Sequence, residues 1–318
     1  MSALVYGLFF AKLADVIYAY HPPLTVGMVA SFIRIFRRIP VVYDVQDMWP
    51  DTLRATGMVN NASVLNLVSV LCRWVYKQVD HIVVLSPGFK ALLLERGVPG
   101  AKVDVIYNWA DEASLFAAKN VFSLNLPSAD SFSILFAGNM VKAQALSAVL
   151  EAANLLQERN SRVCFVLLGE GVELEKLKQI AEIQQLRNVV FIPQMPMADV
   201  GVALNAADVL LVHLRKDPLF EITIPSKTQA YMAIGKPVLM AVNGDAATLI
   251  EVSGCGVVVQ AGDAKSLANA AELLALKQPA ELKMMGNKAQ AYYLEHLQCS
   301  VGAAKFSAIF KRQCLEGV

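Results

Sequence analysis

Short apolar runs alternate with longer segments of helical pattern along this chain, and that alternation is the strongest restriction on its fold. A first series predicts helices at 24–37, 63–78 and 88–96 and strands at 15–19, 40–46, 80–85 and 103–106. The strands PVVYDV and HIVVL are apolar almost throughout, which is typical of parallel strands buried on both faces by crossover helices. The series therefore predicts a parallel α/β sheet.

A second series of the same kind begins at residue 132. Its six predicted strands are FSILFAG, VCFVLLG, NVVFIP, DVLLVHL, KPVLMAV and GVVVQ. Residues 108–130 lack this rhythm and end in NLPSADS, a composition typical of a connection between domains. We expect an α/β fold with two doubly wound Rossmann-like domains, residues 1–127 and 128–298. Residues 299–318 are predicted to form a helix that packs back towards the first domain.

Composition narrows the functional classes. The 318 residues are 56% hydrophobic, which is ample for two packed cores, and a formal net charge of +1 gives little support to nucleic-acid binding. The five cysteines show neither a CxxC pattern nor a Cys/His spacing. The cysteines therefore argue against a zinc site and for a reducing, cytoplasmic location, and no cofactor is expected. The amino-terminal apolar stretch, about ten residues long, is too short to span a bilayer.

The segment PSKTQAYMAIGKPVLMAV, residues 225–242, predicts an anion site between two buried elements. Pro225 suits a helix start, and the helix ends at Gly235 before a buried strand. The start of a helix presents unpaired N–H groups and a positive dipole end, and Lys227 adds a full charge. This geometry fits a diphosphate, although an ordinary helix start with a solvated lysine has the same pattern.

Polar residues and glycines also follow several other predicted strands, where parallel sheets bind their ligands. FAGNMVKAQAL combines Gly138 at a turn with Lys142 before a helix, which is a second possible anion site. GEG at 169–171 is a weaker signal. The chain has neither a GxGxxG fingerprint nor a GxxxxGK[ST] loop. The sequence therefore does not favour an NAD-dependent enzyme or a P-loop nucleotide-binding protein.

These motifs resemble those of the family 4 retaining glycosyltransferases, in the bacterial subgroup that builds O-antigen and capsule polysaccharides. The resemblance covers nearly the whole chain and is carried, in order, by YDVQDMWPDTLRATGM, FAGNMVKAQAL, GEGVELEKLK, NVVFIPQMP, ADVLLVHL and IPSKTQAYMAIGKP. Within the subgroup, the sequence is similar to transferases of N-acetylated deoxyhexosamines such as N-acetylfucosamine.

The resemblance implies a two-domain GT-B fold. The second domain would bind a nucleotide-sugar donor, expected to be UDP-linked, and the first would bind a lipid-linked or oligosaccharide acceptor. Transfer would retain the anomeric configuration and need no metal. The donor-binding residues would be Gly138, Asn139, Lys142, Gln144, Ser226 and Lys227 at the diphosphate, and Gly169, Glu170, Ile192 and Pro193 near the base. Asp47 is the candidate for contacting the sugar or an acceptor hydroxyl, with a cap or turn carboxylate as the alternative.

The chain departs from the family pattern at several positions. Ala230 stands where many members have the second of two glutamates, and Glu221 is one place from the expected first. Asn139 and Gln144 occupy positions that are often Arg and Lys, and Ala145 replaces a glycine. Family members usually open with further strand and helix units, so a truncated first domain with an exposed apolar edge and poor solubility is expected.

Other functions remain open at this stage. An inactive, truncated nucleotide-sugar-binding remnant is one alternative, and a UDP-sugar 2-epimerase is another, although only His21 and His213 follow predicted strands. Arg34, Arg37 and Arg38 on an apolar helix suggest peripheral contact with the inner face of a membrane, as against a solvated helix end.

Overall fold

The computed structural model describes residues 2–11, 14–117 and 122–316 of the chain. The chain divides into two compact units, residues 1–107 with 300–318, and residues 108–299. The second unit therefore includes residues 108–130, the segment whose composition is typical of a connection between domains. The sequence-based limits of the domains, at 127 and 298, stay a prediction.

The first unit is built on four parallel strands in the order β1-β2-β3-β4. Every residue of β2 and β3 is buried, as expected of near-continuous apolar runs in a parallel sheet. The strands are β1 (Ile17–His21), β2 (Val41–Val45), β3 (His81–Val84) and β4 (Val103–Val105).

Helices cover both faces of this sheet. They are α1 (Ser2–Phe9), α2 (Leu24–Arg37), α3 (Asp51–Ala55), α4 (Ala62–Gln78), α5 (Pro87–Glu95) and, from the far end of the chain, α15 (Cys299–Glu316). Because the strand order advances in one direction, right-handed crossovers place α2, α4 and α5 on one face. Phe306 and Ile309 of α15 pack against Val42, Val83 and Ile106 of the sheet.

The second unit contains six parallel strands in the order β10-β9-β8-β5-β6-β7. They are β5 (Phe132–Ala137), β6 (Val163–Leu168), β7 (Val189–Ile192), β8 (Val209–His213), β9 (Val238–Ala241) and β10 (Gly256–Val258). The chain moves outward from β5 to β7 and then returns to the other side of β5 with β8. This reversal creates a topological switch point between β5 and β8, where open α/β sheets bind ligands at the carboxyl ends of their strands.

The helices of the second unit are α6 (Glu112–Leu115), α7 (Ser147–Glu158), α8 (Leu174–Ile183), α9 (Met197–Ala206), α10 (Pro218–Glu221), α11 (Ser226–Ile234), α12 (Asp245–Ser253), α13 (Ala264–Ala275) and α14 (Pro279–Tyr292). Helices α7 and α13 bury Leu150 and Leu267 against Phe136 and Phe165 of the sheet. The predicted helix at 24–37 is confirmed to the residue, and all ten predicted strands are confirmed within a few residues at each end.

Helix α14 is an element that the hydrophobic pattern did not predict. Its fully buried residues are the small Gly286 and Ala289, and the larger Leu282 and Met285 are only partly buried against the core. A Cβ at Gly286 would run into the carbonyl oxygen of Gly235, at the end of α11, which shows how closely the two helices approach. The sequence at the start of α14 is nevertheless typical of a helix start, because Gln278 and Glu281 form a capping box around Pro279.

None of the described helices is both long enough and apolar enough to cross a membrane. Among the described residues, no cluster of three or more His, Cys, Asp or Glu side chains could hold a metal ion.

Candidate functional site

A cavity of about 630 Å³ opens in the second unit at the carboxyl ends of β5 and β6. One wall is polar or made of glycine and consists of Gly138, Asn139, Gln144, Gly169, Glu170, Ser226 and Lys227. The other wall is largely apolar and consists of Trp109, Leu115, Met195, Met197, Val200 and Leu204. The polar wall has hydrogen-bond donors and a cation that could bind an anion, and the apolar wall has a surface against which a flat or apolar part of a ligand could pack.

Seven of the predicted donor-binding residues lie together in this cavity, namely those of the polar wall. Three others do not line it. Lys142 is exposed in a 3₁₀ turn, Lys142–Gln144, that is separate from α7. Ile192 is the last residue of β7, and the exposed Pro193 follows it. Asp47 belongs to the first unit.

The start of α11 is fixed by its neighbours along the chain. Pro225 has extended dihedral angles and precedes the first helical residue, Ser226, and no side chain caps this end. Tyr231, one turn further on, is buried, and its hydroxyl accepts a hydrogen bond from the N–H of Ala137 at 2.9 Å. That bond ties α11 to the end of β5. The amides of the first turn and the dipole of α11 therefore lie beside the cavity, as the sequence predicts.

Lys227 places its ammonium group deep in the polar wall. Its Nζ donates to Oε1 of Gln144 at 2.9 Å and lies 3.8 Å from the centroid of the buried Phe136 ring. Burial disfavours the charged form and lowers the pKa of Lys227 to about 7. A cation held against an aromatic face and a neutral amide has no carboxylate partner in these contacts, so an anionic ligand would complete its environment.

The turn that carries Gln144 is held by His213 at the end of β8 and by Arg215 just after it. Nδ1 of His213 lies 2.6 Å from the carbonyl oxygen of Gln144, and because a carbonyl only accepts, Nδ1 carries the proton. The N–H of Arg215 donates to the carbonyl of Ala143 at 2.9 Å. Burial lowers the pKa of His213 to about 4, so the ring is neutral at physiological pH. The 3₁₀ turn that carries Gln144 is therefore anchored to the sheet.

The next residue, Ala145, has a left-handed backbone with φ 46° and ψ 43°. A Cβ in this conformation costs roughly 1–2 kcal/mol. The glycine expected at this position by family resemblance would avoid that cost.

Two glycines bring the ends of β5 and β6 together. Gly138 has φ 145° and Gly169 has φ 136°, a region that favours glycine, and a Cβ at Gly169 would collide with the carbonyl oxygen of Gly138. The N–H of Gly138 donates to Leu168 and that of Gly169 to Ile192, both at 3.0 Å. Glycine at 138 leaves backbone, with no side chain, beside the ammonium of Lys227, and glycine at 169 permits the close approach of the two strand ends.

Glu170 supplies a carboxylate at the rim of the cavity. Gln194, with its amide oriented to satisfy both groups, donates to the carboxylate oxygens of Glu170. Gln194 also lines the cavity, and sequence reasoning missed it. Gln194 directly follows Pro193 in the motif NVVFIPQMP, and its position after a predicted strand is the signal in the sequence that indicates it.

The segment 109–115 was also missed, because the sequence identified it only as part of a connection. Trp109, Asp111 and Leu115 line the cavity. Tyr293, in a π turn after α14, donates to Oε1 of Glu112 at 2.7 Å and accepts from the N–H of Ala110 at 3.2 Å. These bonds join residues that are far apart in sequence, so no local pattern predicts this wall.

The family departures are visible in the same wall. Ala230, in place of a glutamate, lines the cavity with a methyl group. Glu221 is not among the residues that line it, and its backbone carbonyl packs against Gly244. The carboxylates among the described lining residues are those of Asp111 and Glu170.

Asp47 lies just after β2 in the first unit and is half-buried. Burial raises the pKa of its carboxyl group. Helix α3 begins behind Pro50 and no side chain caps it, so Asp47 does not serve as a helix cap. The neighbouring Asp44 is more deeply buried and accepts hydrogen bonds from Tyr18 and Gln46, both at 2.6 Å.

Comparison with known proteins identifies the family to which this site belongs. A family model described as glycosyl transferases group 1 matches residues 119–292, more than half of the chain. The chain belongs to this family. A second model, described as a glycosyl transferase 4-like domain, matches residues 5–109.

Two curated bacterial relatives are named as glycosyltransferases. The probable glycosyltransferase WbjE of Pseudomonas aeruginosa is 26% identical over 252 residues, which is 77% of this chain and 62% of WbjE. WcaI of Escherichia coli (strain K12), named for colanic acid biosynthesis, is 27% identical over 205 residues, 61% of this chain and 49% of WcaI. The chain spans between about half and three fifths of the length of these relatives.

Solved structures share the fold. Anabaena HepE in complex with UDP matches with a TM-score of 0.76 and 16% identity, over 98% of this chain and 81% of that one. Sucrose-phosphate synthase from Thermosynechococcus elongatus matches with a TM-score of 0.73 and 19% identity, over 94% and 73% of the two chains. The predicted α/β fold with two Rossmann-like domains of GT-B type is confirmed.

Proposed function

We propose that this protein is a retaining glycosyltransferase of bacterial surface polysaccharide synthesis. It transfers a sugar from a UDP-linked donor, and the sugar is an N-acetylated deoxyhexosamine. The acceptor is lipid-linked or a saccharide, reached from the cytoplasmic side of the membrane. Membership of the glycosyl transferase family and likeness to WbjE and WcaI support the general activity. HepE, a structural neighbour solved with UDP and with UDP-glucose, supports UDP as the nucleotide.

The observation that carries the proposal is the position of Lys227 at the start of α11 in the cavity. Cleavage of the donor places developing negative charge on the leaving diphosphate, and catalysis follows from stabilising that charge. The ammonium of Lys227, the first amides of α11 and the hydroxyl of Ser226 are suited to this task. The glycine backbone at 138 and 169 leaves room for the phosphates beside them.

In this mechanism the bond between the anomeric carbon and the diphosphate breaks, and the acceptor oxygen bonds to that carbon from the same face of the sugar, which gives retention. The proton of the acceptor hydroxyl passes to the departing diphosphate. Lys227 and the helix start supply the positive potential, so the step we propose needs no metal ion. Gln144 orients Lys227, and Glu170 with Gln194 contacts the nucleoside. Asp47, whose pKa is raised by burial, contacts the sugar or the acceptor hydroxyl.

The 2-epimerase alternative has no comparable support. Epimerase chemistry would need paired carboxylates and histidines facing the sugar. Asp111 and Glu170 line the cavity, but no histidine is found among the described residues that do. His213 is buried and hydrogen-bonded to Gln144.

Calorimetric titration with UDP, GDP and UDP-N-acetylhexosamines tests the donor assignment. We expect selective binding of the uridine ligands, and we expect Lys227→Ala to weaken it about tenfold or more, because a charge-assisted hydrogen bond contributes roughly 1.5–3 kcal/mol. Lys283→Ala, on an exposed part of α14, is the matched control.

Lys142→Ala belongs in the same series, since Lys142 does not line the cavity. If Lys142→Ala loses as much affinity for the uridine ligands as Lys227→Ala does, Lys142 belongs to the donor site. If its affinity is unchanged, Lys142 does not belong to that site. If the folded protein binds no uridine nucleotide, the proposed function is wrong. Binding without transfer to any lipid-linked or saccharide acceptor would favour the inactive remnant.

A further inference from the structure

The two carboxylates that line the cavity of the second unit, among its described lining residues, differ in the contacts they already make. Asp111 caps α6, and its oxygens accept from the N–H of Ser114 at 3.2 Å and from the hydroxyl of Ser114 at 2.6 Å. These bonds orient it towards its own turn. Glu170 contacts instead the side-chain amide of Gln194, whose single nitrogen reaches both carboxylate oxygens. Because a carboxylate has about four lone-pair sites, each oxygen of Glu170 can accept a further hydrogen bond.

The ends of β5, β6 and β7 lie level with one another at this cavity. Ala137 is paired with Leu168, and Leu168 is paired with Ile192. Adjacent strands are about 4.8 Å apart, so the residues that follow them form a row across the cavity. Lys227 lies at the β5 end of this row, because a Cβ at Gly138 would be 3.3 Å from its Nζ.

Glu170 and Gln194 occupy the next two places in the row. Each stands two residues beyond the end of its strand, β6 for Glu170 and β7 for Gln194. Met195 and Met197 of the apolar wall follow Gln194. A nucleoside diphosphate has its parts in the same order, namely phosphates, ribose and base. With its diphosphate at Lys227, the ribose reaches Glu170 and the base reaches the apolar wall.

The chemistry of ribose matches a carboxylate with two available oxygens. Its hydroxyls at C2′ and C3′ are neighbours on the same side of the ring, and both can donate to one carboxylate. The edge of uracil instead has one N–H group between two carbonyl oxygens, which a carboxylate repels. Helix α11 does not supply this acceptor, because the residues with which it lines the cavity have no carboxylate. They are Ser226, Lys227, Ala230 and Tyr231.

We propose that Glu170 binds both ribose hydroxyls of the donor and that Gln194 orients the carboxylate for this contact. The donor is then a ribonucleoside diphosphate sugar, and a thymidine-linked sugar, which lacks the hydroxyl at C2′, is rejected. A site built to bind a hydroxyl discriminates against the analogue without it, because a polar group of the protein is left unpaired. The inference rests on the proposed function, since it concerns the UDP-linked donor of the same cavity.

Calorimetric titration with UDP and 2′-deoxy-UDP tests the proposal. We expect the wild type to bind 2′-deoxy-UDP about tenfold or more weakly than UDP. Glu170→Ala should bind the two nucleotides nearly equally. The ratio of the two affinities is the decisive quantity. Both ligands carry the same charge, so any repulsion between Glu170 and the diphosphate cancels in this ratio.

Three further variants separate Glu170 from its neighbours. Gln194→Ala should lower the ratio without abolishing it, because the carboxylate is kept and only its orientation is lost. Asp111→Asn should keep the wild-type ratio, whatever its affinity for UDP. Glu175→Ala removes an exposed carboxylate of α8 that does not line the cavity, and it should match the wild type in both affinity and ratio. Glu170 and Gln194 are exposed, so their replacement removes little buried contact.

Equal binding of UDP and 2′-deoxy-UDP by the wild type would overturn the inference. A wild-type ratio in Glu170→Ala, or a ratio lost in Asp111→Asn alone, would also overturn it and assign the ribose to another group. These outcomes leave UDP binding, and with it the proposed function, intact. If the folded wild type binds neither nucleotide, the proposed function is wrong and the ribose contact is removed with it.

Discussion

At the scale of single residues, Lys227 combines a charge with an environment that disfavours it. Its ammonium contacts an aromatic ring and an amide oxygen, and burial lowers its pKa to about 7. In the free protein the lysine is therefore cationic below pH 7 and increasingly neutral above it. A bound diphosphate would stabilise the cation and raise this pKa, so that binding above pH 7 would take up a proton.

We therefore expect the affinity for UDP to fall as the pH rises above about 7, by up to roughly tenfold per pH unit. Calorimetry between pH 6.5 and 9, in buffers of different ionisation enthalpy, measures both the affinity and the protons taken up. Lys227→Met should bind more weakly and should lose the dependence above pH 7. The same pH dependence in Lys227→Met, or proton release on binding, would show that Lys227 is not the titrating group.

The sequence predicted some residues of the site and could not predict others. Ser226 and Lys227 were predictable, because a proline followed by a helical pattern determines a helix start locally. The bond between Lys227 and Gln144 joins residues 83 positions apart, and that contact depends on how β5, β8 and α11 are arranged. Tyr293 is still further from Ala110 and Glu112, so its role in supporting the wall of the cavity follows only from the fold.

At the scale of elements, the position of α11 depends on a close contact with α14. Gly286 of α14 approaches the carbonyl oxygen of Gly235, which ends α11 in a left-handed conformation. Small residues permit this approach, and the contact lies at the opposite end of α11 from Ser226 and Lys227. A change here should therefore shift the helix start that faces the cavity.

We expect Gly286→Val to lower the free energy of unfolding of the second unit by about 1–3 kcal/mol through overpacking. UDP should also bind more weakly to it. Chemical unfolding and calorimetry measure the two effects. Met284→Val adds a β-branched residue at an exposed position of the same helix and should change stability by less than about 0.5 kcal/mol. A Gly286→Val variant as stable as the wild type would mean that α14 does not support α11.

At the scale of the whole molecule, each unit contains a buried histidine whose pKa is lowered by burial, and the first unit also buries His81 beside Asp104. His21 lies in the first unit and His213 in the second, and burial lowers the pKa of each to about 4. Between pH 6.5 and 4 the unfolded chain binds protons that the folded chain does not, so the free energy of unfolding falls as the pH falls. In the first unit, the raised pKa of the buried Asp44 acts in the opposite direction.

The second unit therefore gives the cleaner test. We expect its free energy of unfolding to drop by up to about 3 kcal/mol between pH 7 and pH 4 because of His213. Chemical unfolding at several pH values measures this, and His213→Asn should flatten the dependence. His296→Asn, at an exposed position, should leave it unchanged. An unaltered slope in His213→Asn would assign the acid sensitivity to other groups.

The sequence by itself determined the ten strands, most of the helices between them and the helix start at Ser226, because period and end signals act within one element. The sequence also indicated the family, through motifs that are spread along the chain. Tertiary structure alone decided which strand ends meet at β5, β6 and β8, and with them the pairing of Lys227 with Gln144 and the wall from Trp109 to Leu115. It also decided that Glu170 and Gln194 meet beyond the ends of β6 and β7. These features depend on contacts between elements distant in sequence, and no local pattern contains them.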